Sequence, residues 1–214
     1  MAISFKPLAE QVIVITGATS GIGLTTARMA ARQGARLALF ARNEEQLRTL
    51  VDEIRAGGGE AIQVAGDVAD PTALDRLASE TIAAFGGFDT WVNNAGISIY
   101  GRLDEVPLHE KRRLFDVTFW GVVHGCRAAL PHLRLNGGVL INIGSILSER
   151  AMPLQGMYSA AKHAVKGYTD ALRMELEEAR LPVAVSLIKP GAIDTPYAKH
   201  ARNPVSYTHL TLPT

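Results

Sequence analysis

Short aliphatic runs alternate along the chain with longer stretches whose apolar positions recur every three or four residues. Residues 11–16 (QVIVIT) are apolar without alternation, as a strand covered on both faces requires. Residues 21–34 then carry helical spacing and stop at Gly34, and residues 35–40 form a second strand. In Asn43-Glu44-Glu45-Gln46, Asn43 can accept from backbone amides while Gln46 reaches back, a capping box. The helix it opens ends in Gly57-Gly58-Gly59. Residues 61–66 form a third strand, and Asp70-Pro71 supplies an N-cap followed by proline at the first helical position of a helix ending near Gly86-Gly87. The remaining strands fall at 88–93, 139–144 and 183–189, separated by long helices over 107–130 and 156–180. This spacing predicts right-handed βαβ units and a doubly wound parallel α/β sheet with helices on both faces.

Composition narrows the class. The 214 residues are 47% hydrophobic and 20% charged, enough for one packed domain and too apolar for global disorder. Twenty-two basic against 21 acidic residues leave a net charge of +1, which argues against a dedicated nucleic-acid binder or a basic membrane-surface protein. The lone Cys126 excludes an internal disulfide and a multi-cysteine zinc site, so a reducing, cytoplasmic setting is expected. The first residues carry no long apolar export segment, and no apolar run reaches membrane-spanning length. No linker, repeat or low-complexity tract divides the chain, so residues 1–204 read as a single domain.

In such a sheet, ligands sit beyond the carboxyl ends of the strands. After the first strand comes Thr16-Gly17-Ala18-Thr19-Ser20-Gly21-Ile22-Gly23, leading straight into a helix. Gly17, Thr19, Ser20, Gly21, Ile22 and Gly23 are therefore candidates to hold a pyrophosphate on backbone amides, although a glycine turn needed only for packing reads similarly. After the second strand stands Ala41-Arg42, without the acid that would take an NAD ribose hydroxyl and with a cation suited to the 2′-phosphate of NADP. A solvated arginine is the plain alternative. Asp67-Val68 follows the third strand, where the carboxylate can accept from an adenine amine or cap the next turn. Asn93-Asn94-Ala95-Gly96 follows the fourth, as side-chain ties between strands or as a plain turn.

The fifth strand ends in Gly144-Ser145, and Tyr158 and Lys162 share one face of the next helix. An ammonium beside a phenol favours the phenolate, which is what a tyrosine general base requires.

Together these residues resemble the single-domain branch of the short-chain dehydrogenase/reductase family. The likeness covers residues 10 to about 197 through Thr16-Gly17-x-x-x-Gly21-x-Gly23, Asn93-Asn94-Ala95-Gly96, Ser145, Tyr158-x-x-x-Lys162 and Pro190-Gly191 with Thr195. It implies a Rossmann fold and NAD(P)-dependent interconversion of a carbonyl and an alcohol, with a non-catalytic nucleotide-binding protein or an inactive fragment as the alternative, and Arg42 makes NADP the expected cofactor over NAD. It assigns Tyr158 as general acid/base, Ser145 as donor to the substrate oxygen, and Lys162 as ribose ligand and tuner of Tyr158. Asn94, Tyr158 and Ile193 join the cofactor residues, and Thr195 would lie against the nicotinamide carboxamide. A homodimer or homotetramer is expected, with Phe115, Phe119 and Trp120 either in the core or at the subunit contact.

One departure stands out. The family's fourth catalytic position, usually Asn at a helix kink, is Thr118. A Thr can bond back to a helical carbonyl and preserve the kink, or leave the proton relay broken; reduced but surviving activity is expected. Ile97, Ile99, Tyr100, Leu147, Met152 and Leu154 are the expected walls of a moderately apolar pocket for a small carbonyl or alcohol substrate. Arg112-Arg113 reads as a solvated face, and the histidines at 109, 124, 132, 163, 200 and 209 as surface or packing residues. The family's domain normally continues with one more helix and strand, so the sheet is expected to be truncated at its C-terminal edge. Residues 205–214 fit neither pattern and resemble a translated sequencing adapter, a non-native tail, unless they are a naturally short disordered terminus.

Overall fold

The computed structural model describes residues 5–193 and Ala201. The expectations for Thr195 and for residues 205–214 lie outside the described residues. Among those described, strands and helices alternate as β1 (Val12–Thr16), α1 (Gly21–Arg32), β2 (Arg36–Ala41), α2 (Glu44–Ala56), β3 (Ala61–Ala65), α3 (Pro71–Phe85) and β4 (Thr90–Asn93). Then follow α4 (Leu108–Phe115), α5 (Gly121–Asn136), β5 (Gly138–Ile143), α6 (Gly156–Glu178) and β6 (Val183–Ile188). The strands form one parallel sheet in the order β3-β2-β1-β4-β5-β6. This is the Rossmann-type α/β arrangement, and its strand order reverses between β1 and β4, where a crevice opens at the carboxyl ends. No described helix is long and apolar enough to cross a membrane.

The continuous apolar strands follow from burial on both faces. Ile13, Ile15, Leu37 and Leu39 pack with Leu47, Leu50 and Ile54 of α2 and with Ala27 of α1. Their neighbours Val12, Val14, Ala38 and Phe40 face the opposite layer, with Leu74 of α3, Val122 and Leu133 of α5, and Val165 of α6. Burial thins toward the far edge, where Ile188 of β6 is 48% exposed. The helix ends follow the local chemistry. Asn43 Oδ1 accepts from the Gln46 amide at 3.0 Å. Asp70 Oδ1 accepts from Thr72 N–H, Pro71 opens α3, and Gly86 closes it in a left-handed conformation.

The helix expected over residues 107–130 is different. It breaks into α4, a π-helical turn at Asp116–Trp120, and α5, which runs through Pro131 to Asn136. Leu130 and Leu133, on either side of Pro131, are both buried, and that packing outweighs the cost of about 3 kcal/mol that a proline inside a helix brings through a lost hydrogen bond and a ring clash. Trp120 lies outside the core at 47% exposure, with Phe119 stacked edge-on against it.

A chain of buried polar groups joins β4, β5 and α6. Trp91 Nε1 donates to Asn93 Oδ1 (2.8 Å), Asn93 Nδ2 to Asn142 Oδ1 (2.9 Å), and Asn142 Nδ2 to Thr169 Oγ1 (2.9 Å). Helix α5 crosses this chain at Gly125, where an added Cβ would stand 1.9 Å from Asn93 Oδ1. Gly125→Ala is therefore expected to displace Asn93 from its partners and lower the unfolding free energy by about 2 kcal/mol. Urea unfolding checks this, and an unchanged midpoint would mean the network does not depend on that close approach.

Candidate functional site

Where β1 and β4 part, the backbone groups beyond the ladder are taken up by two side chains. Thr16 Oγ1 accepts from the amides of Asn94 (3.0 Å) and Ala95 (3.1 Å). Asn94 Nδ2 donates to the carbonyls of Thr16 (2.9 Å) and Gly17 (3.1 Å). The turn between them admits no side chain at two points. Gly17 has φ +66° with its Cβ position 2.8 Å from Ala95 Cα, and a Cβ on Gly23 would meet the Gly17 carbonyl oxygen at 2.2 Å. Helix α1 then begins with no side-chain cap on its first-turn amides, leaving the positive end of its dipole facing the crevice.

The crevice holds a cavity of about 950 Å³. On its wall lie Gly17, Thr19, Ser20, Gly21, Ile22, Arg42, Asp67, Val68, Asn94, Ser145, Tyr158, Lys162 and Ile193. Gly23 and Thr118 do not line it. Gly23 packs beneath the turn, and Thr118 is fully buried behind the wall. At one end Arg42 is exposed and makes no hydrogen bond or ion pair with any described residue. Beside it, Asp67 Oδ1 accepts from the Ala69 amide and Oδ2 from Arg113. Arg113 is thus not the solvated residue expected, because its guanidinium turns inward from α4 to a carboxylate 46 positions earlier.

The other end is built by the loop after β5 and the start of α6. Ser145 Oγ accepts from the Leu147 amide at 3.1 Å, while the Ser145 amide donates to Ser148 Oγ at 3.1 Å. With its oxygen so engaged, the Ser145 hydroxyl proton is left to donate. Tyr158 and Lys162 lie one helical turn apart, with Lys162 Nζ 5.7 Å from the Tyr158 ring centre. Lys162 is buried, donates to the Ile143 carbonyl at 2.6 Å, and has its pKa pushed down to about 8 by loss of solvent.

Thr118 sits in the π turn, yet its hydroxyl does not bond back along the helix. It meets both the amide and the carbonyl of Ile97 at 3.2 Å, tying the helix to the loop after β4.

Among the expected pocket walls, Ile97, Tyr100, Leu147 and Met152 line the cavity. Ile99 and Leu154 do not; Ile99 is packed into a small core cluster with Val106 and Leu114. Arg150 and Gln155 line the same end and escaped the sequence reading. Gln155 is the residue just before α6, and its place between Ser145 and Tyr158 was the signal available in the sequence.

Comparison with known proteins follows the same outline. Residues 11–205 match the family model described as short chain dehydrogenase. The uncharacterized oxidoreductase YxnA of Bacillus subtilis (strain 168) is 47% identical over 218 residues, covering 99% of this chain and 61% of that protein. The chain thus spans 61% of the length of that relative. The crystal structure of a short chain dehydrogenase/reductase from Burkholderia phymatum in complex with NAD is 33% identical with a TM-score of 0.89, covering 98% of this chain and 76% of that one. An alcohol dehydrogenase from the archaeon Thermococcus sibiricus, complexed with 5-hydroxy-NADP, is 30% identical with a TM-score of 0.84, covering 90% of this chain and 80% of that one.

The buried ammonium has a consequence for stability. Between about pH 8 and the ordinary lysine range, the unfolded chain holds a proton at Lys162 that the folded chain has released. Stability from this group therefore rises with pH across that window and is lowest below it. Lys162→Met should remove that rise, so the wild type gains on the variant by up to about 1.4 kcal/mol per pH unit. Urea unfolding of both from pH 7 to 10 measures the difference, and parallel curves would show that Lys162 keeps an ordinary proton affinity.

Proposed function

The chain belongs to the short-chain dehydrogenase/reductase family, and on that footing we propose that it interconverts a ketone or aldehyde with its alcohol, using NADP(H) in preference to NAD(H). The observation that carries the reading is the convergence of Ser145, Tyr158 and Lys162 on one wall of a cavity whose far end reaches the α1 N-terminus and Arg42. The residues present fit a dinucleotide. The uncapped amides of α1 suit a pyrophosphate, Asp67 an adenine amine, and the guanidinium of Arg42, unpaired among the described residues, a 2′-phosphate held on two donors. Ile193, on the cavity wall, would lie toward the nicotinamide. That ring, when bound, supplies or accepts the hydride.

The chain's own residues handle the oxygen and its proton. Ser145 donates a hydrogen bond to the substrate oxygen and keeps its proton, holding that oxygen where charge develops during reduction. Tyr158 gives its phenolic proton to that oxygen in reduction and takes one in oxidation. Lys162, with a pKa near 8, can exchange its own proton near neutrality and carries the ammonium that faces the tyrosine. Its bond to the Ile143 carbonyl fixes the end of the side chain to β5. Ile97, Tyr100, Leu147 and Met152 exclude water around the carbonyl and favour an apolar substrate.

Tyr158→Phe is expected to lower turnover by at least about a thousandfold while leaving dinucleotide affinity within about twofold, since one proton-transfer group is removed and no phosphate contact is lost. Retained turnover in a carbonyl-reduction assay would remove Tyr158 from the chemistry. In thermal melts NADPH should raise the midpoint more than NADH at equal concentration, because the tighter ligand stabilises the folded state by mass action. The reverse order would assign Arg42 to solvent and the cofactor to NAD.

A further inference from the structure

The loop after β3 forms the wall at the Asp67 end of the cavity, and a single stripe of the neighbouring helices holds it. Arg113 of α4 donates to Asp67 Oδ2. Val117, one turn on, lines the cavity beside Val68. Gly121 lets Val68 approach so closely that an added Cβ would lie 2.7 Å from Val68 Cγ2. His124 Nδ1 stands 3.0 Å from the Val68 carbonyl, which can only accept, so the proton is on that nitrogen. Of these contacts the Arg113 one alone reaches a charged group that faces the cavity.

We propose that Arg113 is a positioning residue for the adenine half of the cofactor, acting through Asp67; the inference rests on the dinucleotide reading above. Two physical effects support it. A carboxylate held at one oxygen by the Ala69 amide and at the other by a guanidinium cannot rotate, and each oxygen keeps a lone pair for an incoming amine. Without Arg113, a bare carboxylate would also stand beside a cofactor carrying several negative charges, and the ion pair offsets that repulsion. Arg113 itself is not on the cavity wall, so its effect reaches the cofactor only through Asp67.

The test separates the two halves of the cofactor. Calorimetric titration with ADP-ribose and with reduced nicotinamide mononucleotide is run on the wild type, Arg113→Gln and Arg113→Lys. Arg113→Gln should weaken ADP-ribose about tenfold and leave the mononucleotide unchanged, and Arg113→Lys should recover part of the loss. In an Asp67→Ala background, Arg113→Gln should bring no further loss. Unchanged ADP-ribose affinity, equal weakening of both ligands, or a further loss in the Asp67→Ala background would each overturn the proposal. If Arg113→Gln fails to melt cooperatively, Arg113→Lys and the Asp67→Ala pair decide it. Should the wild type bind neither ligand, the dinucleotide reading fails and takes this inference with it, an outcome distinct from a wild type that binds and a variant that binds equally well.

Discussion

Everything at the site depends on how the chain satisfies its backbone where β1 and β4 separate. A parallel sheet that opens at its switch point strips ladder partners from the residues just beyond it, and each buried orphan would be costly. The Thr16 hydroxyl and the Asn94 amide replace the ladder, accepting from two amides and donating to two carbonyls. The clasp also sets the path of the glycine turn, because the carbonyl of Gly17 is one of its acceptors. With that path fixed, Gly23 must lie against Gly17, and α1 starts at the mouth of the crevice with its amides facing in. The crevice, the glycines and the helix terminus are consequences of one hydrogen-bonded junction.

A second organising element is the helical run from Leu108 to Asn136. Its glycines, Gly121 and Gly125, stand where it passes closest to the Val68 loop and to Asn93. Its π turn falls between α4 and α5, and there Thr118 bonds to the Ile97 backbone beside Gly96, whose Cβ position is 3.8 Å from both Thr118 Oγ1 and Lys162 Nζ. One helical run thus borders the Asp67 end of the cavity through Arg113 and stands behind the Lys162 end through Thr118. A π turn shifts the helical face by one residue, which lets a single helix present both residues inward.

Much of this was legible in the sequence, because it depends on near neighbours. Unbroken apolar runs announced buried parallel strands, Asn43 and Asp70 announced helix starts, and Gly34 and Gly86 announced helix ends. The residues after each strand pointed to the cavity, since topology alone carries them there. What was not legible rests on distant partners. Nothing local tells Arg113 from a solvated arginine, because Asp67 is 46 residues away. Pro131 reads as a helix stop until Leu133 is seen to be fully buried. The Asn93–Asn142 pair spans 49 residues, and its need for Gly125 shows only once α5 is laid across it.

The placement of Lys162 shows where the fold accepts a loss of stability. Burial drives its pKa down toward 8, so near neutrality the folded state bears the cost of holding an ammonium out of water. One carbonyl, that of Ile143, offsets part of that cost at 2.6 Å. A methionine of similar length would fill the same space without it. The arrangement fits the proton-handling role proposed for it, with an ammonium close to its titration point 5.7 Å from the centre of the Tyr158 ring. The same logic applies to Ser145, whose oxygen is occupied by a backbone amide so that its proton must find an acceptor elsewhere, in the cavity. Both groups lie at the carboxyl end of β5, held by the most extensively paired strands of the far half of the sheet. Rigid support from β5 holds both side chains at the cavity wall.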